Sequence, residues 1–251
     1  MESIIQENLS EIEVAKNVKI IMAVESGSRA WGFASPDSDY DVRFVYVREL
    51  PEYLRLNKTR DVIEWQLDDV MDINGWDLKK ALQLTHDSNP SIFEWLASPI
   101  VYKDSDQFKE LKELSRNYYS PKKNLYHYWH MASNNYRSYL QGEKVKLKKY
   151  FYVIRPLLAA KWVSDRKTQP PMLFSELMDA ELPLELRPII DNLLEMKRAT
   201  PEMGIASKVN ELDDFINEQL EKVKKAADEQ ESVKCNWDLL NNYFQRVVTE
   251  I

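Results

Sequence analysis

The run GSRAWGFASPDSDYDVRFVYV, Gly27 to Val47, sets a glycine–serine pair, a polar loop and an Asp-x-Asp pair ahead of a β-branched, aromatic stretch. Before it lies VKIIMAVES (18–26), an apolar run of strand length that stops at Gly27-Ser28, a turn signal. DVRFVYV (41–47) alternates and is rich in Val, Phe and Tyr, which predicts a second strand. Between the two, SRAWGF reads as a short helical turn and ASPDSD as a loop. Side chains alternate along a strand. A strand starting at Asp39 therefore puts Asp39, Asp41 and Arg43 on one face, and Tyr40, Val42 and Phe44 on an apolar one. Carboxylates about 7 Å apart along one strand face repel each other unless a cation lies between them. Mg²⁺ suits that position, because it takes one or two carboxylates and completes its shell with water and phosphate oxygens.

Asp-x-Asp alone is a weak signal, and the chain carries its own control. Asp104-Ser105-Asp106 is a second DSD, but a helical pattern, QFKELKEL, follows it at once. There the acids are expected to act as N-cap and first-turn charges. The first copy lies instead between two strands, ten residues after Gly27-Ser28. A strand ending in Gly-Ser with a short turn next offers backbone N–H groups and a hydroxyl to phosphate oxygens. Gly27 would allow close approach and Ser28 would donate, with Arg29 and Arg43 near enough in sequence to touch phosphate. Arg43 is equally placed to be an ion-pair partner of the carboxylates.

GS, a loop and DSDYD together resemble the signature of the nucleotidyltransferase (DNA polymerase beta-like) superfamily. The wider text, with DINGWDLKKALQL and SNPSIFEWL, resembles its minimal, RNA-repair-associated branch. The likeness is densest over residues 20–100, continues to about 165, and is weak or absent in the last 80 residues. It implies metal-dependent transfer of a nucleoside monophosphate from an NTP, ATP first among them, to an acceptor hydroxyl. It further implies a third acid on a neighbouring strand, completing a site for two Mg²⁺ or Mn²⁺ ions. Asp68, Asp69, Asp72 and Asp77 are the candidates. Asp68 and Asp69 suit a turn between DVIEWQL (61–67) and VMDING (70–75), and Asp77 suits a helix N-cap. Asp72 lies inside the strand run and is the choice, with Asp77 next. Related families carry Lys-x-x-x-His-x-x-Arg on a helix facing the triphosphate. Here Lys148, Tyr152 and Arg155 share that spacing, with tyrosine where the family has histidine, so proton transfer at that position is not carried over.

Composition sets the frame. Of 251 residues, 44% are apolar and 30% charged, with five glycines and eleven prolines, as in a globular chain. One cysteine, Cys235, excludes an internal disulfide. No apolar run approaches the roughly 20 residues of a membrane span, and MESIIQENLSEIEVAKN lacks the features of a signal peptide. A cytoplasmic location is expected. The net charge of −7 is uneven: Ser115–Lys167 carries 12 Lys or Arg against Glu143 and Asp165, with eleven aromatics. Such a stretch suits an anionic partner such as RNA, or equally a helix pair with an aromatic core and a solvated basic face. His86, His127 and His130 suggest no metal site.

The expected fold is α+β. A small mixed β-sheet nucleotidyltransferase head with flanking helices (1–103) would precede a helical domain (104–251), with the break near Ser98–Asp106. Pro156 is expected just after a kink or helix start. Nucleotide addition to RNA is the leading reading. Nucleotidylation of a protein or small molecule, and a non-catalytic nucleotide-binding module, are the alternatives. Self-association, if any, is expected in the acidic helices of 206–248.

Overall fold

A computed structural model describes the chain apart from residues 69, 200–203, 233, 234 and 251, and apart from the side chains at 66, 67 and 206. In chain order it forms α1 (Glu2–Lys16), β1 (Val18–Glu25), α2 (Gly27–Ala30), β2 (Tyr40–Arg48), α3 (Leu50–Tyr53), β3 (Val62–Leu67) and β4 (Met71–Asp77). Then come α4 (Leu78–His86), α5 (Pro90–Leu96), β5 (Val101–Lys103), α6 (Asp106–Ser115), α7 (Pro121–Tyr139) and β6 (Lys144–Lys146). The remainder is α8 (Leu147–Arg166), α9 (Phe174–Glu181), α10 (Arg187–Ala199), β7 (Ile205–Ser207), α11 (Asn210–Glu229) and α12 (Asp238–Glu250). Two compact units result. The first comprises Met1–Ala30, Asp39–Tyr119 and Lys234–Ile251; the second comprises Trp31–Ser38 and Ser120–Val233.

The first unit is built on a mixed sheet of order β3-β4-β2-β1-β5, the α+β architecture expected. β2 and β4 run parallel, and the other neighbours are antiparallel. A bulge between Ile20 and Met22 lets consecutive residues of β1 serve the same face. One face packs Ile20, Val42, Phe44, Tyr46 and Ile73 against Ile5, Leu9 and Ile12 of α1. The other packs Ile21, Met22, Val24, Val45 and Val47 against α4, α5, α6 and α12. Central strands covered on both faces read as continuous apolar runs, which is why VKIIMAVE does not alternate. Gly75 is the register partner of Phe44 on the adjacent strand. A Cβ there would lie 2.1 Å from the Phe44 ring, so the ring occupies the space a side chain would take.

Local signals behave as their chemistry requires. Asp77 caps α4, its side chain accepting from the Lys79 N–H at 2.8 Å, and Asn89 caps α5 through the Ser91 N–H at 2.9 Å. Asp68 Oδ1 accepts from the Val70 and Met71 N–H groups at 2.8 and 2.7 Å, closing the turn between β3 and β4; Asp69 lies outside the described residues. In the control DSD the cap is Ser105, whose Oγ accepts from the Phe108 N–H at 3.1 Å, rather than either acid. Asp104 and Asp106 both pair with Lys109.

Three sequence-based boundaries shift. The expected break near Ser98–Asp106 falls inside the first unit, because β5 pairs with β1 and Phe108 and Leu111 of α6 fill the same core. α12 also belongs to this unit: Leu240, Tyr243 and Val247 are buried in that core, and the Tyr243 hydroxyl donates to the Gln107 carbonyl at 2.8 Å. α8 runs on through Pro156 rather than starting at it.

The second unit is helical, with a two-stranded β6–β7 ribbon. α7, α8 and α11 pack on one another. Much of the aromatic content of 115–167 is consumed by packing: Tyr128, Tyr136, Tyr150 and Phe151 are buried here, and Tyr118 is buried in the first unit. Phe33, 1% exposed, sits in the second unit against Phe151 and Phe174 at ring separations of 5.2 and 5.4 Å. Lys197 Nζ, also buried, donates to Ser35 Oγ at 2.7 Å. The loop Trp31–Ser38 is thereby a built part of the helical unit.

Candidate active site

Asp41 and Asp72 are register partners across the parallel pair β2–β4. Parallel strands in register project partners to the same face, so the two carboxylates come together. Arg43, two residues on from Asp41, joins them: its Nη2 donates to Asp41 Oδ1 at 2.8 Å and to Asp72 Oδ2 at 2.6 Å. Arg43 Nη1 donates to the Asp72 and Val42 carbonyls at 2.7 and 3.2 Å. The second oxygen of Asp72, Oδ1, accepts from Asn74 Nδ2. This face of β2 is polar at Asp41 and Arg43 and apolar at Val45 and Val47, where the helical layer covers it. Asp41, Asp72 and Arg43 stay partly open, with side chains 22, 25 and 16% exposed.

Gly27 has φ +60°, a conformation L side chains rarely adopt. A Cβ on it would stand 1.9 Å from Asp41 Oδ2. The glycine of the Gly-Ser pair is thus required by its approach to the Asp-x-Asp carboxylate, a reason separate from phosphate binding. Ser28 is buried beside it. Arg29 lies with its guanidinium 3.7 Å over the Tyr40 ring, and its Nε donates to the Asp39 carbonyl at 3.0 Å. Asp39 is half-buried and immediately precedes β2.

Sequence reasoning missed Glu25. It is fully buried at the end of β1; its Oε1 accepts from the Asp41 N–H at 2.8 Å and its Oε2 from the Tyr102 hydroxyl. Burial pushes its carboxyl above the usual range, opposed by the Tyr102 and Asp41 hydrogen bonds. An acid ending an otherwise apolar strand run is the signal that marks it. Asp77, the runner-up third acid, is at the far end of β4 from Asp72, and burial raises its carboxyl while Tyr53 and Lys79 N–H donate to it.

Lys148, Tyr152 and Arg155 lie on α8 in the second unit. Lys148 and Tyr152 are half-buried; Arg155 is 1% exposed. Its guanidinium sits 4.4 Å over the Trp31 ring, with Nη2 3.6 Å from Met172 Sδ.

The donor set suits a divalent ion in chemistry, being carboxylate oxygens on one strand face beside a glycine turn. The convergence of Asp41 and Asp72 on one guanidinium shows that the position takes positive charge. Among the described residues, no group of three or more His, Cys, Asp or Glu is placed to hold a metal. Asp41 and Asp72 are the two carboxylates that could contribute to holding such an ion.

A mixed sheet with carboxylates on adjacent strands behind a Gly-Ser turn is the arrangement of a DNA polymerase beta-like nucleotidyltransferase. The chain belongs to RlaP, the RNA repair pathway DNA polymerase beta family, which it matches over residues 1–246. The likeness legible up to about residue 165 thus extends into α12, as far as residue 246. The chain is 44% identical to the uncharacterized protein YcgL of Bacillus subtilis (strain 168), over all of this chain and 98% of that one. The crystal structure of a nucleotidyltransferase-like protein from Exiguobacterium sibiricum 255-15 matches 91% of this chain and 74% of its own, at 15% identity and TM-score 0.32. Among the described residues no helix is long and apolar enough to cross a membrane.

Proposed function

We propose that the chain transfers a nucleotidyl group from an NTP, ATP first among them, to a hydroxyl of an RNA acceptor. The observation that carries this is the in-register approach of Asp41 and Asp72, with Asp39 at the strand entry and Gly27 against Asp41. The acceptor oxygen attacks the α-phosphorus; the new P–O bond forms as the bond to the β-phosphate oxygen breaks, and pyrophosphate leaves. The hydroxyl proton passes to a carboxylate of the trio. Asp41 and Asp72, with Asp39 at the strand entry, would share a divalent ion, Mg²⁺ or Mn²⁺, with substrate oxygens, and such an ion would supply charge that polarises the phosphate and steadies the leaving group. The chain forms no covalent bond, since phosphoryl-type transfer needs positioning and charge. Ser28, beside Gly27, is assigned to phosphate oxygens. Arg155, stacked on Trp31, is assigned to holding that aromatic in place.

RNA is favoured over a protein or small molecule by the family's RNA repair association and by the basic residues of 115–167. Incubation with labelled ATP, Mn²⁺ or Mg²⁺ and RNAs of differing ends tests this. Label entering RNA with wild type, and falling at least 100-fold with Asp41→Asn, is expected; equal labelling by both proteins refutes it. Label entering protein and not RNA transfers the reading to the alternative acceptor.

A further inference from the structure

Arg43 takes no step in the proposed transfer, yet four hydrogen bonds anchor its guanidinium in the site. We propose that its guanidinium is a resident cation, filling one of two positive positions, so that the chain takes a single divalent ion per bound nucleotide. This rests on the nucleotidyltransferase reading above. Two of its hydrogen bonds go to backbone carbonyls, those of Asp72 and Val42. They do not depend on the carboxylates, and hold the guanidinium in place when a carboxylate turns to another cation. Arg43 is also mid-strand, paired with Val24 on one side and Asn74 on the other. Its backbone cannot withdraw without breaking ladders on both sides.

The carboxylate oxygens tell the same story. Asp41 Oδ1 and Asp72 Oδ2 face Arg43, Asp72 Oδ1 takes Asn74, and Asp41 Oδ2 lies against the Gly27 backbone. Oxygens so engaged can share one ion with phosphate. They do not build a second shell, in keeping with the lack of any three-ligand group among the described residues. A planar guanidinium, always charged and bidentate toward carboxylates, is the side chain suited to such a post.

Counting protein-bound Mn²⁺ after equilibrium dialysis with a non-hydrolysable ATP analogue tests this. One ion per chain is expected for wild type, two for Arg43→Gln, one for Arg43→Lys, and loss of the bound ion for Asp41→Asn. Near-UV circular dichroism checks that each variant is folded, and the wild-type count stands if Arg43→Gln is not. Two ions in wild type, or no gain in folded Arg43→Gln, overturns the resident-cation proposal while the enzyme reading stands. No bound ion in either wild type or Arg43→Gln removes the enzyme reading and the proposal with it.

Discussion

Gly27 and Asp41 touch: the carboxylate of Asp41 occupies the space that a Cβ on residue 27 would fill. Gly27→Ala must therefore both strain a backbone at φ +60° and push Asp41 aside. Strain of this kind costs about 1–3 kcal/mol. The expected outcome is a fall of that size in denaturant-derived stability, together with loss of nucleotidyl transfer. Transfer at the wild-type rate by Gly27→Ala would show that the position of Asp41 does not matter to the reaction.

Arg43 donates to two carboxylates through one nitrogen, so the three side chains should not behave independently. Removing Asp41 or Asp72 alone leaves Arg43 with the other. A double-mutant cycle between Arg43→Gln and Asp72→Asn, read by urea unfolding, is expected to give a coupling of about 0.5–3 kcal/mol. Additive effects would mean that the contact seen between Arg43 and Asp72 contributes nothing to stability.

The strands at 18–25 and 40–48 were legible because their residues are β-branched and bounded by turn chemistry. Asp41 and Asp72 could be nominated from sequence, Asp72 because an acid inside a strand run needs a reason. Their register could not, since pairing is set by long-range packing of Phe44 over Gly75 and by the apolar faces. Glu25 was missed because its partners, Tyr102 and the Asp41 N–H, are distant in sequence. The domain break was misplaced for a similar cause: β5, α6 and α12 join the first unit through tertiary burial, which no local composition records.

Glu25 gives the site a pH signature. Burial raises its carboxyl in the folded chain, so the folded state holds that proton more tightly than the unfolded one. Its contribution to stability is then present below the ordinary carboxyl range and is lost as pH rises through the raised folded value. Glu25→Gln keeps the shape without the charge. Its stability relative to wild type is expected to rise from acid to neutral pH, measured by urea midpoints at a series of pH values. A pH-independent difference between the two would show that Glu25 is not held above its ordinary value.

Lys197 and Ser35 tie the loop that separates the Gly-Ser turn from Asp39. Lys197 is 3% exposed and its ammonium donates to Ser35 Oγ at 2.7 Å, also in buried surroundings. Ser35→Ala withdraws one acceptor from a buried charge, which costs about 1–3 kcal/mol. Phe33→Ala, emptying the ring cluster with Phe151 and Phe174, should cost about 3–5 kcal/mol. Both substitutions fall in the helical unit, so hydrogen exchange should quicken in α8 and α10 while the amides of β1, β2 and β4 stay protected. Exchange rising instead across the sheet would mean that the loop does not belong to the helical unit's fold.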